Sequence, residues 1–512
     1  MPGMLALGFR GIVAAEEPNA VLAGLRILEE GGNAFDASIA VSAVLSVTMP
    51  YACGLGGDSF IMAVDSNGKV KVLNGSGRSF RNVSFNDVKK MFGSQLPKRG
   101  PWIVTVPGLV DSWAQIYQEY CTMPLRKLLQ PAINLARNGF PVSRGLAGAI
   151  RLAYSEEWYS KGWVQVFLRG DKPLNIGDIL IQPMLADILD MLIRDGLSSF
   201  YNGSVAKRLV DGLKGYGCPV DYEDFASHRS EWVNPIGINY RDCRVYEIPP
   251  NSQGITTLIL LNILEGYDFK SISYYNSEHV NILVNASILA YEDRDKYVAD
   301  PVYYRAPIDQ LLSKRYASNR RSIIPNVSFK ANSEDTTFFT VADKWGNIVG
   351  FIQSLFYSFG SLITVEGVTF QGRGLGFSLD ENSPNRFEPC KRPLHTLSIL
   401  GFQDQNGFGI IGCAGGNLRP QIHAQVLSNI IDFKMNIAEA IDAPRIVLTN
   451  WGLNKEIIYE GRIKHPNISI KAIPLPYYSS ATGIVQALYR RVNGLLQATA
   501  DPRSDGIAIA IP

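Results

Sequence analysis

The fold of this chain is decided by the stretch Glu334-Asp-Thr-Thr-Phe-Phe-Thr-Val-Ala-Asp343. From Thr336 onward its residues are mostly apolar, β-branched or aromatic, which predicts a strand over 336–342. The Asp-Lys-Trp-Gly-Asn run at 343–347 predicts a turn, and residues 348–354 predict the returning strand of a hairpin. A threonine pair at a strand start is ordinary by itself, so its meaning depends on the residues around it.

Two further features, Ser354 and Gly415-Gly416, give the threonine pair a chemical interpretation. Cleavage of an unactivated amide needs a nucleophile, a base and an oxyanion site, and an N-terminal threonine supplies the first two, because its α-amine accepts the hydroxyl proton. An α-amine has a pKa of about 8 against about 10 for lysine, so it is the better base at neutral pH. Ser354 ends the return strand, where it can hold that amine, and Gly415-Gly416 follow a predicted strand, where backbone N–H groups can approach a substrate closely. Alternatively, Ser354 is an ordinary strand serine, and Gly415-Gly416 form an ordinary strand-to-helix turn. Together the features indicate an enzyme that cuts its own chain between Asp335 and Thr336.

Composition narrows the class of protein. The chain has 512 residues, 46 % hydrophobic and 19 % charged, with 49 basic and 47 acidic side chains and no long single-sign tract. This balance gives no support for binding to nucleic acid or to a membrane surface. The six cysteines and five histidines lack metal-site spacing, so we expect neither a metal nor a cofactor. The N-terminus lacks the pattern of a secretory signal, so we expect a cytoplasmic protein.

Helix and strand patterns predict an α/β (α+β) protein in which helical layers cover sheets built from hairpins. An amphipathic helix over 18–30 ends at Gly31-Gly32, and Asn33 can cap a following helix that is apolar nearly all round. Helical patterns dominate from 107 to 330, and strands return after 336. Predicted helices are 109–119, 125–137, 183–194, 255–264, 279–297, 420–433 and 437–443, and predicted strands are 59–64, 69–73, 336–342, 348–354, 397–402 and 408–412.

Motifs along nearly the whole chain, in the same order, resemble the γ-glutamyltransferase family of N-terminal-nucleophile hydrolases. They are Gly31-Gly-Asn-Ala-Phe-Asp-Ala37, Gly54-Leu-Gly-Gly-Asp58, Val106-Pro-Gly108, Pro249-Pro250 with Ser252-Gln-Gly254, Asp293-Arg-Asp295, Thr336-Thr337, Lys391-Arg-Pro-Leu394, Gly415-Gly416, Asp442-Ala-Pro-Arg445 and Asp501-Pro-Arg-Ser-Asp505. The resemblance is strongest to the γ-glutamyltransferase-like branch of bacteria and archaea. It implies a four-layer αββα sandwich that forms one composite domain, self-cleaved into a large subunit of residues 1–335 and a small subunit of residues 336–512. It also implies that Thr336 is the nucleophile, Ser354 its support, and Gly415 and Gly416 the oxyanion donors.

The chain departs from the family pattern where members bind glutamate. The family's arginine for the α-carboxylate aligns with Ser76, with Arg78 two residues further on. The acidic pair that receives the α-ammonium is replaced by Leu375-Gly376. His395 and Thr396 replace a serine pair. Phe356 also stands where the family has asparagine. Only twelve residues (379–390) separate Ser378 from Lys391, too few for the active-site lid that some members carry.

We therefore expect a hydrolase or transferase of γ-glutamyl amides such as glutathione, with hydrolysis favoured because a site without a lid admits water. The alternatives are an acylase or amidohydrolase for glutaryl, oxamate or other small carboxylic-acid amides, or an unprocessed homologue without catalysis. Arg78, Arg373, Arg392, His395 and Thr396 are the candidate substrate-binding residues; Arg373, Arg392 and His395 could instead serve structural ion pairs or hydrogen bonds. The expected partners are a small-molecule amide and the two fragments of the precursor, and a homo-oligomer is left open.

Overall fold

A computed structural model describes residues 4–323, 335–450, 455–464, 466 and 468–512. Its strands, in chain order, are β1 Ala6–Gly8, β2 Gly11–Ala15, β3 Asp58–Val64, β4 Val70–Gly75, β5 Phe140–Pro141, β6 Leu168–Arg169, β7 Lys172–Pro173, β8 Ile179–Leu180, β9 Glu231–Val233, β10 Ile236–Tyr240, β11 Cys243–Glu247, β12 Asp335–Asp343, β13 Ile348–Phe356, β14 Thr364–Val365, β15 Val368–Thr369, β16 Leu400–Asp404, β17 Gly407–Ala414, β18 Ile446–Asn450, β19 Glu456–Glu460, β20 Lys471–Leu475, β21 Ile484–Arg491, β22 Leu496–Ala500 and β23 Ile507–Ile511.

The helices are α1 Pro18–Glu29, α2 Ala34–Thr48, α3 Phe85–Phe92, α4 Leu109–Tyr120, α5 Leu125–Asn138, α6 Arg144–Tyr154, α7 Lys161–Phe167, α8 Pro183–Asp195, α9 Ser204–Gly215, α10 Tyr222–Ala226, α11 Gly254–Leu264, α12 Ser277–Tyr297, α13 Ile308–Leu311, α14 Lys314–Arg321, α15 Arg419–Ile431 and α16 Ile437–Asp442. No helix in the described ranges combines the length and apolarity needed to cross a bilayer.

Two sheets stack face to face at the centre of the molecule. One has the strand order β1-β22-β21-β17-β16-β11-β10, and the other has the order β23-β2-β12-β13-β3-β4-β9. The apolar cluster between them takes alternate residues from each sheet, for example Phe60, Phe338 and Ile352 from one and Ile410 and Leu488 from the other. This alternation fixes which face of each strand points into the sandwich.

Helices cover the outer face of each sheet. Next to Phe338, Phe339 points to the opposite face and joins a cluster built with α1, α2, α4, α5 and α8. On the other side, α11, α12, α15 and α16 pack against the second sheet. The predicted four-layer αββα sandwich is therefore confirmed.

Local sequence signals match several elements closely. The α2 helix is buried along its whole length, and a capping box between Asn33 and Asp36 starts it, as predicted. Gly31, just beyond α1, has φ of +93°, the left-handed conformation that favours glycine. The strand expected over 397–402 instead begins at Leu400. The prediction for 107–330 also missed β9, β10 and β11, which lie within that largely helical region.

The chain on either side of Thr336 shares both sheets. In the second sheet, β12 and β13 lie between β2 and β3, which come from the N-terminal part of the chain. The hairpin around residue 345 therefore pairs with strands some three hundred residues away in sequence. Backbone hydrogen bonds across these strands would hold two fragments together after a cut at residue 335.

Candidate active site

Thr336 lies near the start of β12, and its side chain is 3 % exposed. A bulge between Asp335 and Thr337 interrupts the pairing with β13 there, which places Thr336 beside Ser354 on the neighbouring strand. The Thr336 hydroxyl donates to Ser354 Oγ at 3.2 Å, and Ser354 Oγ donates to the Asp335 carbonyl oxygen at 2.8 Å. The predicted nucleophile, its support and the bond to be cut thus meet in one hydrogen-bonded group.

Two more donors point to Ser354 Oγ. The Phe356 amide donates to it at 2.8 Å, and an Arg373 terminal nitrogen at 3.2 Å. A hydroxyl oxygen has two lone pairs, so these donors compete with the Thr336 hydroxyl for them. Because they fix Ser354 as an acceptor, its single hydrogen is directed to the Asp335 carbonyl. That hydrogen bond polarises the carbonyl carbon toward attack.

The crossing of the two sheets brings Gly415 and Gly416 to the same end as Thr336. A Cβ at Gly412 of β17 would collide with the Phe338 ring, and a Cβ at Gly350 would meet Ile410. Gly350 pairs with Thr340 on β12, so Ile410 lies near Thr340, whereas Gly412 lies near Phe338. The C-terminal end of β17 therefore lies toward Thr336. Gly416 has φ of +49°, a conformation that a side chain would strain.

A buried network from other predicted motifs holds the glycine loop in place. The Gln253 side-chain amide donates to the carbonyl oxygens of Gly416 and Thr396, each at 2.8 Å. Arg294 donates to Gln253 Oε1 at 3.2 Å and to the Asn417 side chain at 2.7 Å. Motif residues that lie far apart in sequence therefore meet around the predicted oxyanion loop. The sequence marks Gln253 and Arg294 as motif residues but gives them no role.

Of the predicted substrate-binding residues, Arg373 and Thr396 lie beside Ser354. Arg373 is fully buried, donates to Thr396 Oγ1 at 3.0 Å as well as to Ser354, and stacks 4.5 Å from the centre of the Phe356 ring. Its charge therefore lies one side chain away from the Asp335 carbonyl. A guanidinium in this position favours negative charge on the reacting group.

Arg78 and Arg392 are engaged elsewhere. Both contact the carboxylate of Glu231, each at 3.1 Å, and Arg392 also donates to the Ser76 carbonyl at 3.0 Å. Arg392 is thus in a structural ion pair, the alternative that the sequence left open for it. Arg78 is in an ion pair as well. Their predicted contact with a substrate carboxylate stays a prediction.

His395 is also part of a buried pair. Its Nε2 lies 3.0 Å from Asp58, whose other oxygen accepts the amides of Gly77 and Gly108 at 3.1 Å. Burial raises the pKa of Asp58 to about 6, although the Arg373 charge opposes this, and burial together with Arg373 lowers the pKa of His395. His395 is therefore neutral at pH 7 and poorly suited to binding a carboxylate by charge. The sequence did not predict this Asp–His pair.

A cleft of about 970 Å³ lies beside Asp335, the residue before the predicted cleavage site. Its wall includes Asp335, Leu375 from the Leu375-Gly376 pair that replaces the family's acidic pair, the adjacent Phe377, and Arg99, which no motif in the sequence marks. Arg99 lies in a loop without a motif, so no sequence signal marked it. Nowhere in the described ranges do three His, Cys, Asp or Glu side chains group closely enough to hold a metal ion.

The chain is similar to known proteins over nearly its whole length. The profile of the family described as Gamma-glutamyltranspeptidase matches residues 20–511. The glutathione hydrolase-like YwrD proenzyme of Bacillus subtilis (strain 168) is 39 % identical over 529 residues, with 99 % of each chain covered. The oxamate amidohydrolase proenzyme of Klebsiella pneumoniae subsp. pneumoniae is 30 % identical over 521 residues, with 97 % of this chain and 98 % of that protein covered. The crystal structure of cephalosporin acylase from Bacillus halodurans matches with a TM-score of 0.91 at 34 % identity, covering 99 % of this chain and 97 % of the other. This chain therefore belongs to the gamma-glutamyltranspeptidase family and is an enzyme that acts on amide bonds.

Proposed function

We propose that this protein is a self-processing acyl-amide hydrolase that works through an acyl-enzyme on Thr336. One observation carries the proposal: the Thr336 hydroxyl and the Asp335 carbonyl oxygen both contact Ser354 Oγ, at 3.2 and 2.8 Å. A nucleophile and the carbonyl it would attack are thereby held by the same side chain.

Self-cleavage would proceed by attack of Thr336 Oγ1 on the Asp335 carbonyl carbon. The amide C–N bond breaks as the new C–O ester bond forms, and the hydroxyl proton passes to the departing nitrogen. Water then hydrolyses the ester, leaving Asp335 as a new C-terminus and Thr336 with a free α-amine. The precursor would thus become a large and a small fragment held together by the shared sheets.

In the processed enzyme the α-amine of Thr336 takes over as base. It accepts the hydroxyl proton when Oγ1 attacks the substrate carbonyl, and it returns that proton to the leaving amine. The Gly415 and Gly416 N–H groups are the proposed donors to the oxyanion, and Ser354, held by Arg373, orients the nucleophile. A water molecule then attacks the ester and releases the acid.

The first candidate substrate class is γ-glutamyl amides such as glutathione. The family assignment supports this class, as does the name of the Bacillus subtilis relative, a glutathione hydrolase-like proenzyme. Buried Arg373 donates to Ser354, so its charge lies next to the nucleophile, where it favours the negative charge that develops on the substrate carbonyl.

The second candidate class is amides of glutaryl or other small carboxylic acids, oxamate included. Leu375, which lines the cleft, stands with Gly376 where the family has an acidic pair, so this position offers no carboxylate to a substrate ammonium group. An ammonium group buried without a counter-charge costs several kcal/mol. The relatives named cephalosporin acylase and oxamate amidohydrolase also favour this class.

The proposal is tested by the covalent state of the purified protein. We expect two fragments on a denaturing gel, the smaller one beginning Thr336-Thr337-Phe338 by N-terminal sequencing. Thr336→Ala should remain one chain because no hydroxyl can start the acyl shift, whereas Thr336→Ser keeps a hydroxyl and should still be cut. Full amidase activity from an intact wild-type chain would refute the mechanism.

A further inference from the structure

Arg99 lines the cleft that Asp335 also lines, beside the bond that is proposed to be cut. Its side chain is only 10 % exposed, and one terminal nitrogen donates to the backbone carbonyls of Ser358 and Gly360, at 3.0 and 2.5 Å. The other terminal nitrogen donates to Glu156 at 3.1 Å. Those contacts use three of the five N–H groups that a guanidinium offers. The buried Nε–H has no hydrogen-bond partner among the described residues.

The inference rests on the proposed function, in which the Asp335 carbonyl belongs to the first acyl group that Thr336 attacks. The same Oγ1 later attacks the substrate, so the acyl carbons of Asp335 and of the substrate take the same position relative to Thr336. Asp335 lines the same cleft as Arg99 and Ser358. Burial raises the pKa of the Asp335 carboxyl, and the Arg99 charge acts to lower it. The Ser358 hydroxyl is buried and has no hydrogen-bond partner among the described residues, so it can donate to a carboxylate in this cleft.

We propose that Arg99 and the Ser358 hydroxyl bind the carboxylate of the substrate's acyl group, and that Asp335 occupies this carboxylate subsite in the uncleaved chain. An aspartyl residue places two carbons between its carbonyl and its carboxylate, as a succinyl group does. A glutaryl group has three, and an oxalyl group has none. The subsite therefore selects succinyl and glutaryl amides over the amide of oxalic acid.

The charges around the cleft agree with this assignment. Among its described lining residues, the cations are Lys98 and Arg99 and the carboxylates are Glu156 and Asp335. Glu156 is shared by the two cations, at 2.7 Å from Lys98 and 3.1 Å from Arg99. With the Asp335 side chain out of the subsite, the positive charge in the buried part of the cleft is that of Arg99, because the Lys98 side chain is 63 % exposed and screened by water. An acyl group with one carboxylate and no ammonium restores the balance, and the open edge of a guanidinium is suited to such a carboxylate.

The test compares each anionic substrate with an uncharged one of equal length. The glutaryl and valeryl p-nitroanilides differ by a terminal carboxylate, so the ratio of their kcat/KM values reports recognition of that group alone. Arg99→Gln should lower this ratio at least tenfold, the range for losing a hydrogen bond to a charged group. Ser358→Ala keeps the backbone carbonyl that Arg99 uses and should lower the ratio at least threefold. Lys98→Gln is the matched control: its side chain is 63 % exposed and contacts the same Glu156, so the ratio should change less than twofold.

The inference fails if Arg99→Gln and Ser358→Ala both cleave themselves and keep the wild-type ratio, and it also fails if Lys98→Gln lowers the ratio as much as Arg99→Gln. Should Arg99→Gln not mature, the wild-type enzyme gives the answer by product inhibition. Succinate and glutarate should inhibit at least tenfold more strongly than butyrate and valerate, and equal inhibition overturns the assignment. A wild-type chain without an N-terminal Thr336 would refute the proposed function instead, so the two failures are distinguishable.

Discussion

Ser354→Ala is the most direct test of how the site is assembled. The substitution removes the hydrogen bond that Ser354 donates to the Asp335 carbonyl at 2.8 Å and the acceptor that the Thr336 hydroxyl uses at 3.2 Å. Loss of one donor to a developing oxyanion costs about 2.7–4 kcal/mol, which slows the reaction roughly 10²–10³-fold. We therefore expect self-cleavage of Ser354→Ala to slow by that factor.

The assay follows conversion of the single chain into two fragments on a denaturing gel, sampled after cell-free synthesis. Ser354→Thr is the matched control because it keeps the hydroxyl and adds one methyl group, and it should mature within about tenfold of the wild-type rate. Ser354→Ala also removes an acceptor from the Phe356 amide, which costs about 1–3 kcal/mol of stability. Thermal unfolding followed by circular dichroism shows whether the variant is folded. A folded Ser354→Ala chain that matures at the wild-type rate would refute the reasoning.

Three further predictions concern turnover, substrate and pH. Gly416→Val should lower kcat/KM about 10²–10³-fold in matured protein, and near-wild-type turnover would place the oxyanion donors elsewhere. Because Leu375-Gly376 offers no carboxylate to a substrate ammonium, kcat/KM for γ-glutamyl p-nitroanilide should exceed that for the glutaryl compound by less than about a hundredfold, roughly 2.7 kcal/mol; a larger preference would mean that another residue binds the amine. Burial lowers the pKa of His423, but contacts with Cys413 and Glu247 outweigh burial and raise it to about 9. The pKa of His423 in the folded protein is above its unfolded value of about 6.5, so protonation of His423 stabilises the fold. This stabilisation is complete below pH 6.5 and is lost as the pH rises through about 9. The free energy of unfolding in urea should be lower at pH 9.5 than at pH 6 in the wild type, and the difference should be smaller in His423→Gln. Equal differences in the two proteins would contradict this prediction.

Much of the architecture follows from local patterns. The apolar helix α2 begins at the capping box of Asn33 and Asp36, and the β12–β13 hairpin turns within the predicted Asp343–Asn347 segment. Such elements depend on residues a few positions apart, so periodicity and capping predict them. The strands β9 to β11 were missed because they are short, and half-buried strands of this kind take much of their stability from neighbours distant in sequence.

The sequence by itself determined the family, the αββα class and the threonine at which cleavage is predicted, because the motifs that carry them are short and local. Only the tertiary structure decided which charged groups surround that threonine. Arg373 lies beside Ser354, whereas Arg392 and His395 are held in pairs with Glu231 and Asp58. Arg99 reaches the cleft from a loop without any motif. An arginine's role depends on which carboxylate or carbonyl the fold brings within hydrogen-bond distance, and linear spacing does not contain that distance.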